Sequence, residues 1–440
     1  MSPPAPRRSH PRTRPASARA VALEVVRRVI DEGAYSNRLL PALLASSGLD
    51  QRDRAFAAEL AYGTLRRRIP LDRAIGERST RPVDRITPGA AHALRLGAYQ
   101  LLVTGTPAHA AVGETVGLVD ARERGFVNAV LRRIAEDPPA PPVGRDDAGV
   151  SARTGMAPWA VRELRRLLDA EEVEAAAEAF AARGPLTLRV NPCRSDLASL
   201  EAALRDEGHE VSVGAVDEGC LLLDGGDPAR LPGFREGWFA VQDQASAYVV
   251  RTLDPGAGER VLDVCAAPGG KVLAAACLVG DDGLVVAADV RPGRIAPVAR
   301  EAARLGVRPA LLVQDATAPA VRGPFDRVLV DAPCSGVGSA RRRPELLWRV
   351  PKDDLSRLAR RQVAIASAAA ALLRPGGRLV YSVCTFPRAE TDAACDALLR
   401  HRPELRPVRT PGPDGDVERH RLWPHRHGSD GMFVAAFERA

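Results

Sequence analysis

From Val241 onward, short apolar runs alternate with stretches of helical period, and this rhythm constrains the fold more than any other feature of the chain. Val261–Val264, Leu284–Ala288, Ala310–Val313, Val328–Val330 and Leu379–Ser382 have no polar alternation, as expected of strands buried on both faces. Helical stretches lie between most of them, so the expected architecture is a Rossmann-like α/β domain with a parallel sheet covered on both sides. Gly431–Phe437 reads as a final strand with no helix after it, and Pro375-Gly376-Gly377 as the turn before the fifth strand. In such a sheet, ligands bind beyond the carboxyl ends of the strands, near the point where the strand order reverses.

The rest of the chain has a different period. Ala20, Leu23, Val26 and Val29–Ile30, then Phe56, Leu60 and Ala61, repeat at helical spacing, and the pattern continues to Ile134. Asp137-Pro138-Pro139-Ala140-Pro141-Pro142 breaks it. Helical residues 158–182 lead to a strand at Leu186–Val190 and a helix at Leu197–Gly208. The 440 residues are thus read as multidomain: a basic disordered tail at 1–17, an all-α domain at 18–137, a helical and small α/β insert at 150–240, and the α/β domain at 241–440.

Hydrophobic residues at 45% and charged residues at 27% are those of a globular protein, which excludes wholesale disorder. The net charge of +7 fits a polyanionic partner but does not require one. Only Lys271 and Lys352 among the 62 basic residues are lysines, so arginine richness reflects coding bias, and a retained lysine stands out. Seven cysteines without a Cys-x-x-Cys pair argue against a disulfide framework and a zinc ribbon, and free thiols fit a reducing cytoplasm. The arginine-rich start lacks the apolar segment of a signal peptide, and no apolar run is long enough to span a membrane. His425 and His427, with no acid or cysteine partner, read as loop residues, and no metal is expected.

Asp263-Val264-Cys265-Ala266-Ala267-Pro268-Gly269-Gly270-Lys271 follows a strand and opens a helix. It is neither a phosphate-binding Gly-x-x-x-x-Gly-Lys-Ser/Thr loop nor Gly-x-Gly-x-x-Gly. Its small residues allow close approach of a ligand, and Lys271 at a helix N-terminus opposes the helix dipole, which points to an anionic neighbour. Asp289 ends the next strand and can accept both hydroxyls of a ribose, while Asp315 and Asp331 end the third and fourth. These residues do not separate a nicotinamide from an S-adenosyl cofactor. Cys334 and Cys384 lie in polar loops after the fourth and fifth strands, where a thiol can be reached and activated. Cys193, Cys220, Cys277 and Cys395 read instead as small buried hydrophobes. Arg66-Arg67-Arg68 and Arg341-Arg342-Arg343 read as solvated surface runs; the second directly follows the Cys334 loop, which leaves a phosphate contact there as the alternative.

At Cys265–Lys271, Asp331–Gly336 and Tyr381–Thr385 the sequence resembles the S-adenosylmethionine-dependent RNA cytosine-C5 methyltransferases, most nearly the bacterial ribosomal RNA branch of the Fmu/Sun type. Tyr62–Arg66, His109–Val112 and Arg124–Arg132 are similar to that branch's N-terminal domain, which resembles the RNA-binding antitermination factor NusB. Val241–Ser246, Leu422–His425 and Asp430–Phe433 are similar to further motifs of its catalytic domain. The resemblance implies a NusB-like helical domain, S-adenosyl-L-methionine as cofactor, and an RNA substrate, small-subunit rRNA first, for a cytoplasmic, monomeric enzyme. It assigns Cys265, Ala266, Ala267, Pro268, Gly269, Gly270, Lys271, Asp289, Asp315 and Asp331 to the cofactor, Cys384 as nucleophile and Cys334 as the thiol assisting product release. Where the family commonly has Ser-Thr-Cys-Ser, this chain has Ser382-Val383-Cys384-Thr385, which removes a hydroxyl at 383. A tRNA-directed enzyme and a non-catalytic RNA-binding or antitermination-type factor are the alternatives; retention of both thiols and of the loop speaks against the latter.

Overall fold

The computed structural model describes residues 17–350 and 353–440, so the basic tail and Lys352 lie outside the described residues. Two compact units are present, one of residues up to 157 with 343–348, the other of 158–342 with 349–440.

The first unit is helical: α1 (Ala18–Asp31), α2 (Ser36–Ser46), α3 (Gln51–Arg66), α4 (Arg68–Arg78), α5 (Pro88–Leu102), α6 (Ala108–Val116), α7 (Ala121–Glu136) and α8 (Asp147–Thr154). Ser17 caps α1 by accepting from the Ala20 N–H, and Asp50 caps α3 through Asp53. The apolar stripe Val21, Val25, Val26 and Val29 turns into a core shared with Leu60, Leu94 and Leu131. Gly63 lets Tyr99 lie on α3, because a Cβ there would sit 2.0 Å from the phenol ring. Residues 343–348 belong to this unit: Glu345 is buried and accepts from the N–H and hydroxyl of Ser36, and the Trp348 indole N–H donates to the Leu65 carbonyl at 2.8 Å. The Arg66–Arg68 run is not simply solvated. Arg67 donates to the Arg153 carbonyl, and the Arg68 guanidinium lies 4.3 Å from the centre of the Trp348 ring.

The second unit opens with α9 (Pro158–Arg165) and α10 (Glu172–Ala181), then β1 (Leu186–Val190), α11 (Leu197–Asp206), β2 (Ser212–Val213), β3 (Cys220–Leu223) and β4 (Phe239–Val241). The strands form an antiparallel sheet in the order β2-β3-β1-β4. There follow α12 (Gln244–Leu253), β5 (Arg260–Asp263), α13 (Gly270–Val279), β6 (Leu284–Asp289), α14 (Pro292–Leu305), β7 (Ala310–Val313), β8 (Phe325–Asp331), then α15 (Leu346–Arg349), whose residues up to 348 belong to the first unit, and α16 (Asp354–Ala370), β9 (Leu373–Val383), α17 (Asp392–His401), β10 (Leu405–Val408), β11 (Arg419–Leu422), α18 (Pro424–His427) and β12 (Met432–Arg439). The large sheet runs β10-β12-β9-β8-β5-β6-β7, with β11 on β12. The expected five strands are parallel, but β12 is antiparallel to β9, and β10 and β11 are antiparallel to β12, so the sheet is mixed. Pro375-Gly376-Gly377 lies inside β9 rather than before it, as a bulge between the Phe325–Leu373 and Arg327–Arg378 pairs.

Two further expectations are corrected. Cys193, in the exposed loop after β1, and Cys277, on α13, form a disulfide with a Cα–Cα distance of 5.9 Å, well within bonding range. Neither is therefore a free, buried hydrophobe; their separation of 84 residues carried no spacing signal. Cys220 and Cys395 are free and buried. His425 and His427 sit on the short helix α18, where the His427 ring accepts from the Trp423 N–H, and no metal-competent cluster occurs among the described residues.

Candidate active site

Strand order reverses at β5, which has β6 on one side and β8 on the other, and the chain leaves β5 directly into Cys265–Lys271. The loop is pinned to the strand ends: Asp263 accepts from the Cys265 N–H at 3.0 Å, and the Ala266 N–H donates to the Ala288 carbonyl at 2.8 Å. Gly269 has φ +118, a conformation L side chains rarely adopt, and a Cβ there would crowd Leu273 and Val298 at 3.2–3.3 Å. Ala266 and Ala267 are buried, Cys265 is half-buried and Pro268 exposed.

The acids at the strand ends have different surroundings. Asp289 is buried; it accepts from the Arg291 N–H and pairs with Arg294 at 3.4 Å, and Arg294 also donates to the Ala267 carbonyl. Arg294, which sequence reasoning passed over among so many arginines, thus ties α14 to the loop. Asp315 is exposed and accepts from the N–H and hydroxyl of Thr317, which hold its carboxyl below the usual range. Asp331 accepts from Lys271 Nζ at 2.8 Å through one oxygen and from Ser382 Oγ at 2.9 Å through the other. The anionic neighbour expected for Lys271 is thus supplied by the chain itself. Burial alone would lower the Lys271 ammonium, but Asp331, with charge on Cys384 and Asp263, raises it. Asp263 shows the opposite balance: burial, reinforced by Asp331, pushes its carboxyl up to about 8.

Cys334 and Cys384 extend from the neighbouring parallel strands β8 and β9, and their sulfurs lie 3.5 Å apart, both half-buried. Hydrogen bonding to Cys384, burial and charge on Cys384 together push the Cys334 thiol well up. The turn after Cys334 packs on the Cys384 backbone: the Gly338 N–H donates to the Cys384 carbonyl, and the Gly431 N–H to the Gly338 carbonyl. Arg341 and Arg342 are not simply solvated, and their guanidinium groups are turned to the chain itself rather than to a phosphate. Arg341 donates to the carbonyls of Gly428 and Ser429, while Arg342 bridges Asp243 at 2.7 Å and Asp430 at 2.9 Å. Asp243 also caps α12 through the Ala245 N–H. Three separate stretches of sequence meet in this ion triad, and no local pattern linked them.

The comparisons with known proteins agree with this geometry. A doubly wound sheet with a small-residue loop at its switch point and paired thiols beside it belongs to the methyltransferase class. The family model described as 16S rRNA methyltransferase RsmB/F matches residues 250–438, the NusB family model 16–136, and the ferredoxin-like domain of RsmF/B-like methyltransferases 156–229. The chain is 41% identical to Rv1407 of Mycobacterium tuberculosis over 99% of both chains. It is 34% identical to ribosomal RNA small subunit methyltransferase B of Vibrio cholerae, over 96% of this chain and 98% of the relative. The crystal structure of PH0851 aligns with a TM-score of 0.81 at 26% identity, over 97% of this chain and 99% of the other. The chain belongs to the RsmB/F family of 16S rRNA methyltransferases. It is therefore an enzyme, with a helical NusB-like domain, a small ferredoxin-like domain and a methyltransferase domain.

Proposed function

We propose that this enzyme transfers a methyl group from S-adenosyl-L-methionine to carbon 5 of a cytosine in 16S rRNA, through a covalent bond between Cys384 and the base. The observation that carries the reading is the pair of sulfurs 3.5 Å apart beside the β5 loop. The donor set suits the cofactor. Carboxylates at Asp289 and Asp331 answer ribose hydroxyls and a cationic sulfonium. On this reading Cys265–Lys271, Asp289, Asp315 and Asp331 hold the cofactor, which supplies an electrophilic methyl group on sulfur.

Carbon 5 of cytosine is a weak nucleophile. Addition of the Cys384 thiolate to carbon 6 places an electron pair at carbon 5, splitting one hard step into easier ones. Lys271, held by Asp331, adds positive potential that favours the Cys384 thiolate. Once carbon 5 carries its methyl, Cys334, as its thiolate, takes the carbon-5 proton; the C–H pair becomes the carbon 5–carbon 6 double bond and the sulfur–carbon 6 pair returns to Cys384, which frees the enzyme. The target base must be single-stranded or turned out of its stack. We assign RNA docking to the helical domain at 18–137 and chemistry to 241–440, with 150–240 between them; the name of the Vibrio cholerae relative supports an rRNA substrate. No helix among the described residues is long and apolar enough to cross a membrane.

The test is a pair of variants given labelled cofactor and RNA. Cys384→Ser should abolish methylation and form no adduct, whereas Cys334→Ala should accumulate a methyl-labelled enzyme–RNA adduct on denaturing gels. An adduct formed by Cys384→Ser would reverse the roles, and full activity in both variants would end the covalent reading.

A further inference from the structure

Glu390 is fully buried behind the two thiols, on the short turn between β9 and α17, and touches neither. One carboxylate oxygen accepts from the Ser335 N–H and the Gln362 amide, each at 2.9 Å. The other accepts from the Ser335 hydroxyl at 2.6 Å. The Ser335 and Thr385 hydroxyls are themselves 2.6 Å apart. Ser335 follows Cys334 and Thr385 follows Cys384. Gln362 also donates to the Pro333 carbonyl, on the other side of Cys334, and the Tyr381 hydroxyl donates to the Glu390 carbonyl. The Thr385 hydroxyl donates to the second carboxylate oxygen at 3.5 Å, so one carboxylate gathers four donors, and through them both cysteine loops.

We infer that Glu390 is a positioning residue that sets the spacing of the Cys334 and Cys384 thiols. Two fixed N–H groups and two hydroxyls converge on it, and only a carboxylate accepts from all of them at once. A glutamine keeps the two N–H bonds but turns an NH2 group toward Ser335, so Ser335 must redirect its proton to Thr385. An alanine leaves the Ser335 N–H buried without an acceptor and the Gln362 amide and the two hydroxyls with only their remaining partners, and the two loops lose their common anchor. A sub-ångström drift of one loop suffices to misalign the thiols, because reacting geometry is steep in distance. Thr385 thereby takes a part in the network for which Val383 has no hydroxyl.

This inference rests on the covalent reading for its effect on catalysis, but its core is a distance that can be measured without RNA. Diamide, which takes one hydrogen from each of two thiols as they form a disulfide, reports how readily Cys334 and Cys384 meet; peptide mass mapping isolates that pair from the other cysteines. Glu390→Ala should slow this cross-link and lower kcat by up to about 100-fold. S-adenosylhomocysteine affinity and RNA KM should stay within about twofold of the parent, and Glu390→Gln should fall between parent and alanine in both rates. In the Cys334→Ala background, adduct formation should slow in parallel. If Glu390→Ala does not fold, Glu390→Gln, with the same shape, carries the test. Unchanged cross-linking and kcat in a folded variant would overturn the inference. Slower cross-linking, in an enzyme whose Cys334→Ala form makes no adduct, upholds the positioning role while refuting the covalent reading.

Discussion

Replacing Arg342 with alanine should cost stability rather than RNA affinity. Its guanidinium bridges Asp243 and Asp430, whose side chains are only 5% and 7% exposed, while Arg342 itself is 30% exposed. Removing one member of a buried ion group leaves the others uncompensated, at about 3–5 kcal/mol, and partial exposure of the arginine places this case near the lower end. For a unit of this size, about 3 kcal/mol corresponds to a Tm lower by roughly 6–12 °C. The loss should depend on pH. Burial, then Asp243, already pushes the Asp430 carboxyl up to about 6 against the pull of Arg342. An acid raised in the folded state holds a proton that the unfolded chain has released, so this group's contribution falls as pH rises from about 4 to its folded pKa. Without the arginine that folded pKa rises further, and the penalty extends into the neutral range. Thermal unfolding of the parent and Arg342→Ala should therefore diverge more at pH 7.5 than at pH 5.5. Equal Tm values at both pH values, with RNA binding lost, would refute the argument and restore Arg342 as a phosphate contact.

Other outcomes follow from the same geometry. Asp263, pushed up to about 8, should make binding of the cationic S-adenosylmethionine tighten toward pH 8, by at most about tenfold from pH 7, and more than binding of uncharged-sulfur S-adenosylhomocysteine. Calorimetry on Asp263→Asn should show that difference gone. Gly338→Ala places a Cβ 2.0 Å from the Gly431 carbonyl oxygen and 2.8 Å from that of Cys384; it should cost about 1–3 kcal/mol in urea unfolding and reduce turnover with both thiols intact. Non-reducing peptide mapping should recover the Cys193–Cys277 pair, and Cys193→Ser should lower stability by about 2–4 kcal/mol under oxidising conditions only. A loss of the same size in reductant would place its cause in packing.

The readable parts of this chain are those where local pattern and chemistry coincide. Four of the five parallel strands announced themselves because strands covered on both faces cannot alternate with polar residues, whereas β7, expected to be as buried, is an edge strand that leaves Leu311 and Val313 exposed. The β5 loop and the two thiols stood out because small residues, a rare lysine and cysteines in polar loops are unusual at strand ends. β10 and β11 were not legible: Leu405–Val408 and Arg419–Leu422 are short and mixed in polarity, and they exist because β12 offers them an edge. The disulfide, the Arg342 triad and the Glu390 network were equally hidden, since each joins residues from distant segments. Arg342 was misread for a further reason. In an arginine-rich chain, a run of three looks like surface charge, and nothing in its neighbours reveals two buried acids 99 and 88 residues away.

The hidden contacts share a location. Asp243 and Asp430 approach the site from the β4–α12 loop and the turn before β12, and Arg342 reaches them from the segment that follows the Cys334 turn. Glu390 reaches the Cys334 loop from the turn between β9 and α17. Gly338 lies between, with its N–H on the Cys384 carbonyl and its own carbonyl on the Gly431 N–H. The Cys334 loop is thus held by the buried Glu390 carboxylate through Ser335, and the Cys384 carbonyl by the Gly338 N–H. Loops are ordinarily the mobile part of a fold, and a pair of sulfurs at 3.5 Å needs loops that do not move. Ion pairs and hydrogen bonds buried beneath them supply that order where packing alone cannot, because their geometry is directional and breaking any one of them strands a polar group away from water.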